Sequence, residues 1–470
     1  MTILAPDPAG FDLSFPVVVV GGGAAGLVAA LAAREAGAEV LLLERDPVPS
    51  GSTALSAGLI PAAGTRWQRA AGIADSPERF AGDIMAKAQD TPDPALVRLV
   101  THAAGSALEW LHTGYGLDFS VITDFRYPGH GACRMHGLPS RSGRELVDAL
   151  RAAVEGSGAE LLCHAQVTAV VADAGGVRGV VYRRPDGAEE RVGCDALVLA
   201  CNGYGGSKAL VARHVPEMAG ALYFGHEGNQ GDALLWGEAL GAATRHLSGY
   251  QGHGSVAHPA GILISWATIT EGGVQVNAAG TRFSNEALGY SEQAAAVLRQ
   301  PGGIAWTIFD ARIAGIARQF EDFRQAEAIG AILEAPDATS LAARMAVPAP
   351  ALLATLAEVD RLKAGQGRDR FGRDFAQAPV LVPPLRAVRV TGALFHTQGG
   401  LVVDTAARVM RQDGTAIPGL YAAGGAACGV SGPAASGYLS GNGLLTAVGL
   451  GRVAGREAAL AARRSAKPRA

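Results

Sequence analysis

Val17 to Glu44 reads VVVVGGGAAGLVAALAAREAGAEVLLLE, and this stretch decides the fold. Four consecutive valines are the pattern of a strand buried on both faces, as in a parallel sheet. Gly21, Gly23 and Gly26 follow as G-x-G-x-x-G, the next residues read as an alanine-rich helix, and VLLLE is a second buried strand closing on Glu44. Glycines there allow a tight turn and let the backbone approach a pyrophosphate on the positive end of the helix, with Glu44 placed to accept hydrogen bonds from a ribose. The glycines alone are a weak signal. Strand, glycines, helix, strand and acid in this order specify a dinucleotide site.

Immediately downstream, PVPSGSTALSAGLIPAAG is a loop rich in Ser, Thr and Gly, whose hydroxyls and backbone N–H groups suit cofactor contacts. A helical region is expected from about Pro77 to Thr113. Tyr127 then lies in a Pro/Gly loop ahead of a helix beginning near Ser142. Gln166 to Ala200 alternates strands with turns, including a hairpin at the PDG sequence, and ends in the buried strand DALVLA. ALVLACNGYGG is expected to return under the adenine half of the cofactor, and a helix begins with Asp232 near its start.

From Ser248 to Pro383 no dinucleotide signal occurs. Short strands around Gly261–Ile269 and Gly273–Asn277 and several helices predict an inserted cap. The fold class expected is therefore α/β: a Rossmann-like cofactor domain over 1–245 and 386–470, with an inserted α+β cap domain over 246–385.

With 470 residues the chain exceeds one ordinary domain, and its 64 glycines and 49% hydrophobic content predict a large core with many tight turns. A formal charge of -3 gives no basic footprint for nucleic acid and no polybasic membrane patch. Five cysteines show no metal-ligand spacing and read as thiols in a reducing compartment. The first residues lack the basic start and apolar core of a signal peptide, and no apolar run reaches the roughly 20 residues of a membrane span, so a cytoplasmic protein is expected.

Four stretches together resemble the flavoprotein family of fumarate reductases and 3-ketosteroid dehydrogenases. They are VVVVGGGAAGLVAALAAREAGAEVLLLER, GSTALSAG, GGVQVNAAGTRFSNE, and FHTQGGLVVD with PGLYAAGGAACGVSG and GYLSGNGLLTAVGLGRVAG. The resemblance implies FAD as cofactor and an active site between the FAD domain and the cap. It places FAD on Gly21, Gly23, Ala24, Ala25, Gly26, Glu44, Arg45, Ser52, Thr53, Ser56, Ala57, Gly58, Val167, Ala200, Asn202, Gly203, Asn229, Asp232, Gly424, Gly425, Ser440, Gly441 and Leu444.

The departures from the family are informative. Fumarate reductases carry one arginine after the R-F-x-N-E motif and another in the C-terminal glycine loop, where a guanidinium fork suits a carboxylate. Those positions here are Tyr290 and Tyr438. A dicarboxylate would lose its main counter-charges. The two tyrosines, with Tyr127 as a third, resemble the ketosteroid dehydrogenase branch instead. That branch implies desaturation of a cyclic ketone, a small ring or a 3-ketosteroid, to the α,β-unsaturated ketone, by α-proton abstraction and β-hydride transfer to the flavin. Tyr438 is assigned to the substrate carbonyl, Tyr290 to the proton and Tyr127 to its support.

The backbone N–H that the branch uses on the carbonyl falls at Asn442, beside Gly441. His396 and His258 match histidines that line the fumarate reductase pocket. The modest cap favours a smaller ring. The alternative is an ene-reductase of an unsaturated acid or ketone supplied by a separate electron donor, since no C-x-x-C-H haem motif occurs. A dehydrogenase would pass its electrons to an external acceptor or oxygen. No metal site is expected.

Overall fold

The computed structural model describes residues 2–123, 126–376 and 378–465. The chain is mixed α/β and divides into two compact units. One comprises Met1–Val215, Gly225–Tyr250 and His396–Ala470, the other Pro216–Phe224 and Gln251–Phe395.

In the first unit nine strands, among the described residues, form one sheet. Its central part is parallel: Glu160–Leu162, Val40–Leu43, Ser14–Val20, Glu189–Leu199 and Ala416–Ala422 lie side by side in that order. The register sets Val18 between Leu41 and Leu197, which is why the valine run has no polar alternation. The hairpin read at PDG is present, with Arg184 N–H donating to the Ala188 carbonyl and Gly187 at φ 88°.

Two helices hold this sheet's cofactor edge. Ala24–Glu35 is buried over most of its length, and Asn442–Ser465 packs against it. Glycines on the second helix set the spacing. A β-carbon at Gly451 would lie 2.6 Å from the Ala25 carbonyl oxygen, and one at Gly455 2.0 Å from that of Ala29. No side chain fits there without moving a backbone, and such overpacking costs about 1–3 kcal/mol or more.

The expected helical region from Pro77 to Thr113 is two helices, Pro77–Lys87 and Pro94–Tyr115. Each starts with a capping side chain followed by proline, Ser76-Pro77 and Asp93-Pro94, and Gln89 and Asp90 turn between them with positive φ. A small antiparallel sheet of Ile60–Pro61, Met135–Gly137 and Ser120–Val121 then fixes both ends of the loop that carries Tyr127.

The second unit is built on a sheet ordered Ile262–Leu263, Tyr250–Ala257, Leu385–Thr397, Ile304–Asp310 and Val274–Val276. One expectation is corrected here. The apolar run from Gly261 to Ile269 is a strand only at Ile262–Leu263; Ala267–Thr270 is one helical turn. Ser265 draws the chain round, its hydroxyl accepting from Ala267 N–H and its carbonyl from the Thr268 hydroxyl. Tyr250–Ala257, in contrast, is a full strand although its sequence YQGHGSVA contains two glycines.

Candidate active site

The cofactor edge of the first unit is an assembly of close backbone approaches. Gly21 sits at φ 107°, and a β-carbon on Gly26 would lie 1.8 Å from the Gly21 carbonyl oxygen. No side chain caps the helix Ala24–Glu35 at Gly23; the Ala24 N–H donates to the Thr53 hydroxyl at 3.1 Å. A β-carbon on Gly23 would meet nothing nearer than that hydroxyl, at 3.6 Å. Room for a phosphate and the positive end of a helix therefore coincide.

Glu44 is buried, with Oε2 accepting from Gly22 N–H at 2.6 Å and Oε1 from Asp46 N–H at 2.9 Å. Burial raises its pKa, and the two N–H bonds oppose that. Ser52 collects donors from Asn229, Asn202 and the His226 backbone. Arg45 donates to the Gly228 carbonyl. Asn202, at φ 65°, reaches Gly425 so closely that a β-carbon there would overlap its Oδ1. Gly424 packs against Ala25, Ala200 holds its carbonyl against Gly21, and Asp232 opens the helix Asp232–Ala239 after a left-handed Gly231.

Other residues expected at the cofactor make local contacts. The Ser56 hydroxyl donates to the Thr53 carbonyl and accepts from Gly58 N–H. Val167 pairs with Tyr182 in a strand, and Leu444 packs on the core. Ala57 lies exposed in the same loop.

Beside this edge stand three of the predicted catalytic side chains. Tyr438 is buried and follows the turn Ala435–Gly437. Burial pushes its pKa up, while the N–H groups of Gly443 and Gly441 favour the ionised oxygen. The phenol thus faces the first turn of a long helix, which makes it a stronger hydrogen-bond donor than burial alone would allow.

The His396 ring meets the Tyr438 ring edge-on at 5.7 Å, and burial lowers its pKa to about 4. Gln398 bonds its Nδ1 at 2.8 Å; Gln398 is held by Ser431, and Ser431 by Asn442. Tyr127 packs on Leu59, Ile122 and Met135. Burial raises its pKa to about 12, opposed by the charge of Arg141.

One expectation needs correcting. The N–H of Asn442 donates to the Leu439 carbonyl at 3.0 Å, closing the turn that starts the helix. It is therefore spent on the fold.

In the second unit the R-F-x-N-E motif is a buried ion cluster. Arg282 forks onto Glu286 and Asp369, and Arg373 adds a contact to Glu286. Tyr290 opens the next helix, Tyr290–Leu298, after Gly289. Ser291 accepts from Gly252 N–H, and a β-carbon on Gly254 would lie 2.7 Å from the Gln293 backbone. The two glycines in QGHGS thus admit this helix.

His253, between them, stacks on Tyr290 at 4.8 Å and 18° and touches Trp266 edge-on. Its Nδ1 accepts from Ser255 N–H, which leaves the proton on Nε2, and burial lowers its pKa to about 3. His258 is exposed in the turn after the strand Tyr250–Ala257. The histidine beside the tyrosine is His253; its signal was the flanking glycine pair in an otherwise strand-like run.

The sequence pattern of the FAD binding domain family matches residues 16–444. The chain belongs to this family of flavoproteins. FAD is its cofactor, and the open helix end, the glycine cradle and Glu44 fit it. The chain is 31% identical to the fumarate reductase (cytochrome) of Shewanella frigidimarina over 94% of its own length and 76% of the relative's.

It is 25% identical to the 4-oxocyclohexanecarboxylate 2-dehydrogenase of Sinomonas cyclohexanicum over 88% of each. Among solved structures it is similar to an open conformation of a flavocytochrome c3 fumarate reductase, with TM-score 0.82 at 30% identity, covering 97% of this chain and 79% of the other. It is similar also to the 3-ketosteroid-Δ4-(5α)-dehydrogenase of Rhodococcus jostii in complex with 4-androstene-3,17-dione, with TM-score 0.76 at 25% identity, covering 98% and 99%. The chain is an FAD-dependent oxidoreductase. Among the described residues no helix is long and apolar enough to cross a membrane.

Proposed function

We propose that this flavoprotein desaturates a cyclic ketone to the α,β-unsaturated ketone. The observation that carries the reading is the chemistry of the Tyr438 site. Where a dicarboxylate enzyme of the family would place a guanidinium, a buried phenol faces the N–H groups of Gly443 and Gly441, with a neutral histidine at its edge. A neutral donor of this kind suits a neutral carbonyl oxygen, on which negative charge grows as an α-proton leaves.

Tyr438 donates to that oxygen, and Tyr127 supports the proton transfer. Tyr290 takes the α-proton, its ring oriented by the stack on His253. FAD, when bound, supplies the two-electron acceptor. Arg141, whose charge acts on Tyr127, favours a ring ketone that also bears a carboxylate, in keeping with the name of the Sinomonas relative.

A second reading has its own support: the fumarate reductase relative at 31% identity favours reduction of an unsaturated acid or ketone by a separate electron donor.

Anaerobic titration of the oxidised flavoprotein separates the two. The panel is cyclohexanone, 4-oxocyclohexanecarboxylate, a 3-ketosteroid and succinate. Bleaching by a ring ketone with enone in the product is expected, strongest with the keto acid and weakened for it alone by Arg141→Ala. Bleaching by no ketone, with reoxidation of the reduced protein by an enone or enoate, overturns the proposal in favour of the reductase.

A further inference from the structure

The first unit buries a polar chain, unused by the chemistry above, that ends on the Tyr438 loop. Arg134 has no exposed side-chain surface. Its Nε and Nη2 fork onto Asp75 at 2.7 and 2.9 Å, and its Nη1 bonds Asp83. The guanidinium lies over the Phe80 ring at 4.6 Å, and Phe80 packs against the ring of His130. Arg134 Nη1 also stands 3.5 Å from His130 Nδ1, and His130 Nε2 is 3.0 Å from the carbonyl oxygen of Ser440, 310 residues along the chain.

The directions of these bonds follow from their donors. Arginine offers only protons, so Nδ1 of His130 accepts and Nε2 carries the hydrogen. A carbonyl only accepts, so Nε2–H donates to Ser440. Burial lowers the His130 pKa to about 4, which keeps the ring neutral and this tautomer single near neutral pH. The bond ties two loops. His130 N–H donates to the Tyr127 carbonyl, and a β-carbon on Gly129 would lie 2.8 Å from the Leu439 side chain. The turn of Tyr127 thus rests on the residue that follows Tyr438.

We infer that Arg134 and His130 are positioning residues for Tyr438: Arg134 selects the His130 tautomer, and His130 holds the Ser440 carbonyl so that the Tyr438 loop keeps its place against the Tyr127 turn. Tyr438 must be held closely because a displacement of about 1 Å at a reacting group can cost about a hundredfold in rate. This rests on the reading that Tyr438 polarises a substrate ketone.

The test compares His130→Leu, His130→Asn and His130→Gln in the FAD-loaded protein, with 3-fluorotyrosine incorporated at Tyr438 as a probe independent of turnover. Glutamine places an amide N–H where Nε2–H was; asparagine reaches only the Nδ1 position; leucine reaches neither. Expected is a fall in kcat of about tenfold or more for the leucine and asparagine variants, with KM for the ring ketone nearly unchanged, FAD retained and the fluorine resonance broadened or split. Glutamine restores kcat and a single resonance. If the leucine variant does not fold, the asparagine variant carries the comparison. Wild-type kcat and resonance in the asparagine variant, or a glutamine variant as impaired as it, would overturn the inference. If no ketone is oxidised yet the resonances follow the expected order, the positioning role stands and the proposed function fails.

Discussion

A β-carbon on Gly443 would lie 2.6 Å from Nε2 of His396. The glycine is thus what lets this histidine reach the first turn of the helix Asn442–Ser465 and the edge of Tyr438. Gly443→Ala pushes the imidazole away without touching the glycine cradle at Gly21 and Gly26. The expected result is a fall in kcat of about tenfold or more at unchanged FAD content. Equal turnover in the variant would remove His396 from the site.

Tyr438→Phe deletes one donor and leaves the ring in place. Loss of a donor aimed at developing negative charge costs about a hundredfold to a thousandfold in kcat. FAD content and thermal stability are expected to stay near wild type, as a flavin absorbance spectrum and a melting curve would check. A drop in FAD content equal to the drop in rate would make Tyr438 a structural residue.

Tyr290→Phe keeps the stack on His253 and removes the phenol oxygen. Ligand binding, read from the shift in flavin absorbance, should survive, while anaerobic flavin reduction slows by about a hundredfold or more. Unchanged reduction would exclude Tyr290 as the base.

Four buried histidines make stability depend on pH. Burial holds His130, His136 and His396 at pKa about 4 and His253 at about 3. In the unfolded chain each titrates near 6.5. Between these values the unfolded state binds more protons, so stability falls as pH drops from 6.5 towards 4, by roughly 3 kcal/mol for each ring at the bottom of the window. Melting curves at pH 7.5, 6.5 and 5.5, above the carboxylate range, should show Tm falling only below about 6.5. A flat Tm across these points would mean that the rings are not held neutral.

Much of this was legible in the sequence because it is local. The valine run, the glycines and Glu44 lie within one strand–helix–strand unit, so their spacing alone specifies their geometry. Tyr438 and His396 were singled out by the resemblance to the flavoprotein family, through the motifs GNGLLTAVGLGRVAG and FHTQGG. What escaped depends on distant partners. Which histidine stands beside Tyr290 is decided by the helix that Gly252 and Gly254 admit, and the strand pattern of YQGHGSVA hides that purpose. The N–H of Asn442 looked available until the Leu439 carbonyl was found closing the turn on it. His130 and Arg134 sit in GHGACR, which carries no motif; their meaning comes from Asp75, Asp83 and Ser440, remote in sequence. The break at Gln89–Asp90 could have been read from the paired Ser-Pro and Asp-Pro starts.

The glycine contacts between the helices Ala24–Glu35 and Asn442–Ser465 also set an order of events during synthesis. The phosphate-binding helix is made well before Gly451 and Gly455, which pack against its Ala25 and Ala29 backbone. A chain still being synthesised therefore leaves the helix Ala24–Glu35 without this packing partner until Gly455 has been made.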